Sequence, residues 1–228
     1  MKIFNKKSDR AVVTLVKSDH YVSEQYRNVV SSLEFISKNA SEAKVIAITS
    51  SNKNEGKTTS ATNIAVTMAK NGRKILLVDA DIRSSNINEI FSIINNRGLT
   101  GYLKSDCSLQ EVVQSSIVEG LDIITSGAMT INPLALFDSK RFQEFLDEIR
   151  KVYDCVIIDT PPINVVVDTK IIVSQVDGVV IVVNENKTKK SDFKELHEHL
   201  LIANANILGF IYRSYKYTAG KNYNYNKY

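Results

Sequence analysis

Apolar residues fall along this chain in two alternating rhythms. Short unbroken runs, KVIAIT at 44–49 and ILLVD at 75–79 among them, have the length and aliphatic content of strands buried on both faces, and so do the stretches at 152–159, 178–183 and 207–212. Between them, apolar positions recur every three to four residues over 23–38, 58–70, 138–151, 169–176 and 191–203, the spacing of helices with one apolar face. LDIIT at 121–125 reads as a further strand, Ser108 stands as the cap of a short helix over 109–115, and 84–103 reads as irregular around a turn holding Gly98 and Gly101. Strands alternating with helices predict right-handed crossovers, hence an α/β fold whose mainly parallel sheet carries helices on both faces. No internal repeat is visible, and a length of 228 residues suits one domain.

Composition changes this picture little, but the placement of charge changes it more. The net charge is +4, and the last seventeen residues alone hold Arg213, Lys216, Lys221 and Lys227 with no acid, so the rest of the chain is formally neutral. This is a basic tail rather than a nucleic-acid-binding face, and no nucleic-acid partner is expected. No apolar run reaches the roughly 18 to 20 residues needed to span a bilayer, and residues 1–10 lack the apolar centre of a signal peptide. The expectation is a soluble, cytosolic chain. Cys107 and Cys155 have no metal-ligand spacing and read as idle thiols.

The chemistry enters at Glu55-Gly56-Lys57-Thr58-Thr59, which joins the strand at 44–49 to the helix at 58–70. A phosphate-binding loop needs that context: backbone N–H groups and a helix N-terminus face the phosphates, Lys57 reaches their β and γ oxygens, and the Thr58 hydroxyl binds Mg²⁺. The loop motif wants Gly where Ser51 stands, and Gly-Lys-Thr alone also suits a plain surface turn. Two later runs favour the nucleotide reading. KILLVDADIR at 74–83 ends in Asp79 and Asp81, and YDCVIIDTPP at 153–162 carries Asp159. Parallel strands open on one ligand-binding edge, so three carboxylates are expected to converge beside the loop.

The tail has a chemistry of its own. Six of the ten tyrosines lie among the last seventeen residues, at Tyr212, Tyr215, Tyr217, Tyr223, Tyr225 and Tyr228, with Lys, Asn, Gly and Ser around them. Such a segment buries no core and is expected to be disordered. Interleaved Tyr and Lys suit stacking on single-stranded nucleic acid, a basic tail suits an anionic lipid surface, and flexible phenols on a nucleotide-binding domain suit phosphorylation. Geometry favours the last: a parallel strand at 207–212 delivers the tail to the edge that holds the phosphate loop. Sixteen further residues reach at most about 55 Å, enough for the chain's own site or a neighbour's.

The run from Ile75 to Arg83, three aliphatics and then Asp-x-Asp-x-Arg, resembles the second Walker motif of the bacterial tyrosine kinases, the autokinases of capsular and exopolysaccharide synthesis. The strand ending at Asp159 resembles their Walker B segment and the terminal tyrosines resemble their phosphorylated cluster, so the resemblance covers about 23–228. It implies a P-loop NTPase fold, with an N-terminal extension at 1–22, a kinase domain at 23–212 and a flexible tyrosine-rich tail at 213–228. It also implies Mg-ATP as donor and transfer to Tyr215, Tyr217, Tyr223, Tyr225 and Tyr228 of the same chain or a neighbour in a homo-oligomer. The activator implied is the cytosolic segment of a separate membrane-embedded polysaccharide co-polymerase, which would hold the enzyme at the inner membrane face.

The same resemblance implies the site. Lys53, Asn54, Glu55, Gly56, Lys57, Thr58, Thr59 and Arg213 would contact nucleotide, with Asp79 as base or nucleophile-orienting group. Thr58, Asp81 and Asp159 would hold Mg²⁺ directly or through water. The roles of Asp79 and Asp81 are exchangeable, Arg83 reads equally as a structural partner or a phosphate ligand, and Asn63 and Asp168 read as structural. The chain also departs from the family. Lys53-Asn54 replaces a Pro-Gly pair, Leu134-Ala135 follows Asn132-Pro133 where Ser-Glu is usual, and Arg213 stands where an Asn commonly meets the base. The interface pattern E-x-x-R-x-x-R keeps Glu24 and Arg27 but has Val30 last, so a weaker ring is expected. Two alternatives stay open: an ATPase switch of the ParA/MinD kind, and a non-catalytic nucleotide-binding subunit phosphorylated by an active relative.

Overall fold

The computed structural model describes residues 12–16, 21–40 and 43–214. Its centre is a sheet of seven strands: β1 (Val45–Ser50), β2 (Ile75–Asp79), β3 (Val113–Ser115), β4 (Leu121–Ile124), β5 (Cys155–Asp159), β6 (Gly178–Asn184) and β7 (Ile207–Arg213). They lie in the order β3-β4-β2-β5-β1-β6-β7, and every neighbouring pair is parallel except β3 with β4. Covering both faces removes the pressure for polar residues, which is why β1, β2 and β5 are buried at every position.

The period of two then sorts side chains between two cores. On one face Ile46, Ile48, Leu77 and Ile157 pack under α2 (Tyr21–Ala40) and α3 (Lys57–Lys70). On the other, Val78, Val156 and Ile158 meet the rings of α8 (Lys140–Val152), whose Phe142, Phe145, Leu146 and Ile149 form its apolar stripe. Ser139 starts α8 by accepting the Phe142 N–H, and Arg150 and Lys151 sit in its last turn, where the carbonyl ends favour cations. A third cluster joins Ala47, Val179 and Ile181 to Leu196 and Leu200 of α10 (Lys190–Ile202).

Several segments differ from the sequence reading. The region expected to be irregular contains α4 (Ile87–Phe91) and α5 (Leu99–Leu103). The helix expected over 109–115 stops early: a Ser108–Glu111 capping box opens α6 (Leu109–Val112), and Val113 to Ser115 then pair antiparallel with β4. Only the partner strand decides that change. Asn132 accepts the Ala135 N–H to begin α7 (Pro133–Phe137), with proline at its favoured first helical position. Of the expected N-terminal extension, Val12 is fully buried and α1 (Val13–Val16) lies on α3, where the Thr14 N–H and hydroxyl both donate to Asn63 Oδ1 at 3.0 and 2.9 Å. Helix α2 begins at Tyr21, and β7 takes in Arg213 opposite Asn184. The remaining helix, α9 (Asp168–Val173), follows β5. No helix among the described residues is long and apolar enough to cross a membrane.

Candidate active site

The loop between β1 and α3 needs two left-handed residues to turn its backbone inward. Asn54 supplies one at φ 62° and Gly56 the other at φ 104°. Asn tolerates that region better than most residues, which explains how the loop dispenses with a glycine at 54. Gly56 has a second reason to lack a side chain. The Arg213 guanidinium from β7 lies over it, where a Cβ would fall 1.3 Å from Nη1, and that nitrogen donates to the Glu55 carbonyl at 3.3 Å.

Glu55 does not face the nucleotide side. Its buried carboxylate accepts the Asn52 N–H at 3.0 Å and the Thr188 hydroxyl at 2.7 Å, while the Asn52 side chain donates to Asp192 at 2.8 Å. The segment between β6 and α10 thus buttresses the phosphate loop from behind. Nothing local in the sequence joins residues so far apart, so the sequence reading missed Thr188 and Asp192.

The other expected nucleotide contacts, Lys53, Asn54, Gly56, Lys57, Thr58, Thr59 and Arg213, line a cavity of about 450 Å³. Asp81, Arg83, Ser84 and Asn86 supply its far wall from the segment after β2, and Pro161, Pro162, Val165 and Val166 after β5 add an apolar side that the sequence reading did not single out. At the floor Lys57 Nζ donates to Asp81 Oδ2 at 2.9 Å, both groups nearly buried, and stands 3.5 Å from the Thr58 hydroxyl. Burial works against the Lys57 charge, but Asp159, Asp81 and Asp79 outweigh it and hold its pKa above the ordinary lysine value.

The three strand-end carboxylates do gather, though in unequal settings. Asp79 and Asp159 are register partners on β2 and β5, and both are buried. Asp79 lies behind the cavity wall: one oxygen accepts the Asp81 N–H at 3.1 Å, and the other accepts Ser85 Oγ and the Asn86 and Ile87 N–H groups at 2.9 to 3.3 Å. Burial raises its pKa most, and Asp159 adds to this against the bonds from Ser85 and Ile87. Burial also raises Asp159, against Lys57 and a hydrogen bond from the Thr58 side chain. One Asp159 oxygen, Oδ1, is buried with no hydrogen-bond partner in the structure. An acceptor left open beside a hydroxyl and a phosphate loop suits a hydrated Mg²⁺, which takes one or two carboxylates together with phosphate oxygens rather than a closed protein cage. No cage of three His, Cys, Asp or Glu residues occurs among the described residues.

Other expected residues lie elsewhere. Arg83 Nε donates to the buried Asp168 at 2.9 Å, so both belong to one ion pair at the cavity rim. Glu24 and Arg27 are exposed on α2, but Val30 is fully buried. Steps of three turn a helix face by about 60° each, which carries the third interface position into the core. Burial pushes the Cys155 thiol up to about 12, as suits an idle thiol. The expected acceptors Tyr215, Tyr217, Tyr223, Tyr225 and Tyr228 lie outside the described residues. A second hollow of about 430 Å³, beside Tyr102 and Arg141, contains no phosphate-loop residue and no strand-end carboxylate.

Comparison with known proteins gives this geometry its setting. A family model described as an AAA domain matches residues 43–205. The chain is 37% identical over 216 residues to the tyrosine-protein kinase YwqD of Bacillus subtilis, covering 95% of this chain and 91% of that protein. The crystal structure of the chimerical protein CapA2B2 superposes with a TM-score of 0.85 at 33% identity, covering 92% and 91% of the two chains. The kinase domain of the Escherichia coli tyrosine kinase ETK superposes at 0.82 with 29% identity, covering 90% and 80%. The septum site-determining protein MinD of Pyrococcus horikoshii, complexed with Mg-ADP, shares the fold less closely, at 0.65 with 25% identity, covering 76% and 71%.

Proposed function

The chain belongs to the bacterial tyrosine-protein kinases, and on that premise we propose that it transfers the γ-phosphoryl group of ATP to protein tyrosines, including Tyr215, Tyr217, Tyr223, Tyr225 and Tyr228 of its own tail. The observation that carries this reading is one cavity in which the phosphate-loop Lys57 and Thr58 meet Asp81. In the reaction a tyrosine oxygen bonds to the γ-phosphorus as the bridge to the β-phosphate breaks, the phenolic proton passes to a carboxylate, and ADP leaves. A phenol of pKa near 10 needs that acceptor at neutral pH.

Asp79 is the base in this proposal, because burial and like charge give it the affinity for a proton that the step requires. Its Oδ1 accepts a single hydrogen bond and keeps a lone pair for the phenol. Asp81 stands in front of it, held by Lys57. Phosphate oxygens compete for Lys57, and the parting of that ion pair opens the way to Asp79. Lys57 then offsets charge on the transferring group, where most of the catalysis of phosphoryl transfer arises. Thr58, Asp81 and Asp159 would hold Mg²⁺, which when bound neutralises charge on the phosphates. Arg213 and Lys53 on the loop side of the cavity would contact the nucleotide.

In the cell the proposal places the enzyme in the cytoplasm, at the inner membrane face through a co-polymerase activator, where it regulates capsular or exopolysaccharide synthesis as a homo-oligomer using Glu24 and Arg27. The test is intact mass after incubation with Mg-ATP, with and without the co-polymerase segment. Mass increments on the tail that disappear in Lys57→Met are expected, with a rate loss of roughly 10²-fold or more. ATP hydrolysis with no phosphotyrosine would favour a MinD-like switch instead, and increments undiminished in Lys57→Met would remove the assigned site.

A further inference from the structure

Arg83 has a geometry that the transfer step itself does not use. The buried Asp168 carboxylate fixes its Nε, and its side chain is about half exposed at 49%. Among the described residues its two terminal nitrogens have no partner, so half of a planar fork projects from a rigid mount. That fork lines the cavity on the β2 side, with Ser84 and Asn86, whereas the phosphate loop and Arg213 form the side nearer β1 and β7. Strand β5 separates β2 from β1, so Arg83 lies across the cavity from the phosphate loop. A fixed arginine there meets whatever accompanies the acceptor tyrosine. An exposed guanidinium fork selects an anion with two coplanar oxygens, such as a carboxylate or a phosphomonoester.

The tail shows which anion is available. Residues 214–228 contain no Asp or Glu, but Tyr215 and Tyr217 are two apart, and so are Tyr223 and Tyr225. In an extended segment, residues two apart lie on the same face, roughly 6.5 to 7 Å from each other. Once one member of a pair is phosphorylated, it presents a dianion beside the second as that phenol approaches the site. The phosphates of ATP would repel such a segment, and a cation at the rim offsets that repulsion.

We propose that Arg83 is a specificity residue that binds a phosphotyrosine two positions from the acceptor, so that the first phosphorylation of a tyrosine pair primes the second. This rests on the kinase reading above. The second transfer is the same reaction as the first: the new P–O bond forms at the neighbouring phenol, the β–γ bridge of a second ATP breaks, a carboxylate takes the proton, and ADP leaves. The priming phosphate is bound and is not consumed.

The test uses the full-length protein with Mg-ATP and two synthetic peptides of residues 221–228, both with Tyr228 replaced by Phe. One is unmodified and the other carries phosphotyrosine at the position of Tyr225. Phosphate entering at Tyr223 is followed by mass spectrometry. The wild type is expected to favour the primed peptide in kcat/KM by about tenfold or more, the scale of one charge-assisted contact. Arg83→Gln should bring the two peptides to within about twofold by slowing the primed one more, and Arg83→Lys, which keeps the charge without the fork, should fall between. Intact mass of the whole chain adds a second measure. Doubly modified species should outrun singly modified ones in the wild type, and singly modified chains should accumulate in Arg83→Gln. A wild-type ratio near one overturns the proposal without any variant, and an equal loss on both peptides in Arg83→Gln overturns it by assigning the residue to ATP. Modification of neither peptide, with none of the tail, would overturn the kinase reading itself.

Discussion

At the residue scale the site depends on how one ion pair divides its loyalties. Lys57 and Asp81 satisfy one another at 2.9 Å, and each has another proposed partner when nucleotide is bound. Asp81→Asn should therefore raise the Mg²⁺ concentration needed for half-maximal phosphorylation, while Asp79→Asn should lower the rate at saturating Mg²⁺. Metal titrations of both variants distinguish the roles, and wild-type behaviour in both would refute a part for the β2 end. Asp79 also makes stability depend on pH. Its folded pKa is raised to about 7 from an ordinary carboxylate value near 4, so its stabilising contribution is full below about pH 4 and is lost as the pH rises through 7. Asp159 has the same sign, with a folded value of about 6. Ligand-free melting temperatures should accordingly fall between about pH 4 and 7, with a flatter profile in Asp79→Asn. Parallel profiles for the two proteins would show that Asp79 carries its charge at no cost.

At the element scale, the segment from β6 to α10 determines how firmly the phosphate loop is held. Thr188→Val removes the hydroxyl that the buried Glu55 carboxylate accepts, at a cost of about 1 to 3 kcal/mol. The loss should appear mainly as a higher KM for ATP, since the transferring groups stay in place. A change in kcat alone would show that the Thr188 contact does not act through nucleotide binding. Helix α2 gives an opposite lesson. Arginine at Val30 fits the family's interface pattern on paper, but the side chain there is fully buried against the core. Val30→Arg should lower stability by several kcal/mol, as an unpaired buried charge does, rather than strengthen a ring. Chemical denaturation with light scattering measures both, and a variant as stable as wild type with a larger assembly would reverse that conclusion.

At the scale of the whole molecule, charge is divided between a neutral body and a tail carrying four cations. The described residues end at Ser214, just past Arg213 on the cavity wall. Each phosphate brings about −1.5 to −2 charges, and three would turn the segment from +4 to negative. Phosphorylation should then lower both oligomer mass and binding to anionic vesicles, whereas a chain with Tyr212 and the five tail tyrosines replaced by Phe should stay associated when given Mg-ATP. Sedimentation before and after treatment tests this, and unchanged mass and vesicle binding in a phosphorylated protein would disprove it.

The sequence by itself determined what local rules can reach. Unbroken aliphatic runs and three-to-four spacing decide which segments become the central strands and long helices. Strand, Gly-Lys-Thr and helix in succession mark the phosphate loop, and acids at strand ends can only open on one edge. Tertiary structure decided what depends on a distant partner. It turned Val113 to Ser115 from helix to strand against β4, drew Val12 and Thr14 onto α3, and set Glu55 against Thr188 instead of a nucleotide. It also separated two acids that the sequence presents as equivalents. Asp79 and Asp81 share a motif, but β2 ends at Asp79, and Ser85, Asn86 and Ile87 at the turn into α4 close over that carboxylate, while Asp81, which accepts the Ser84 N–H, stays on the cavity. A hydrogen bond or a burial cost depends on what the rest of the chain brings near, and no spacing along one strand encodes that.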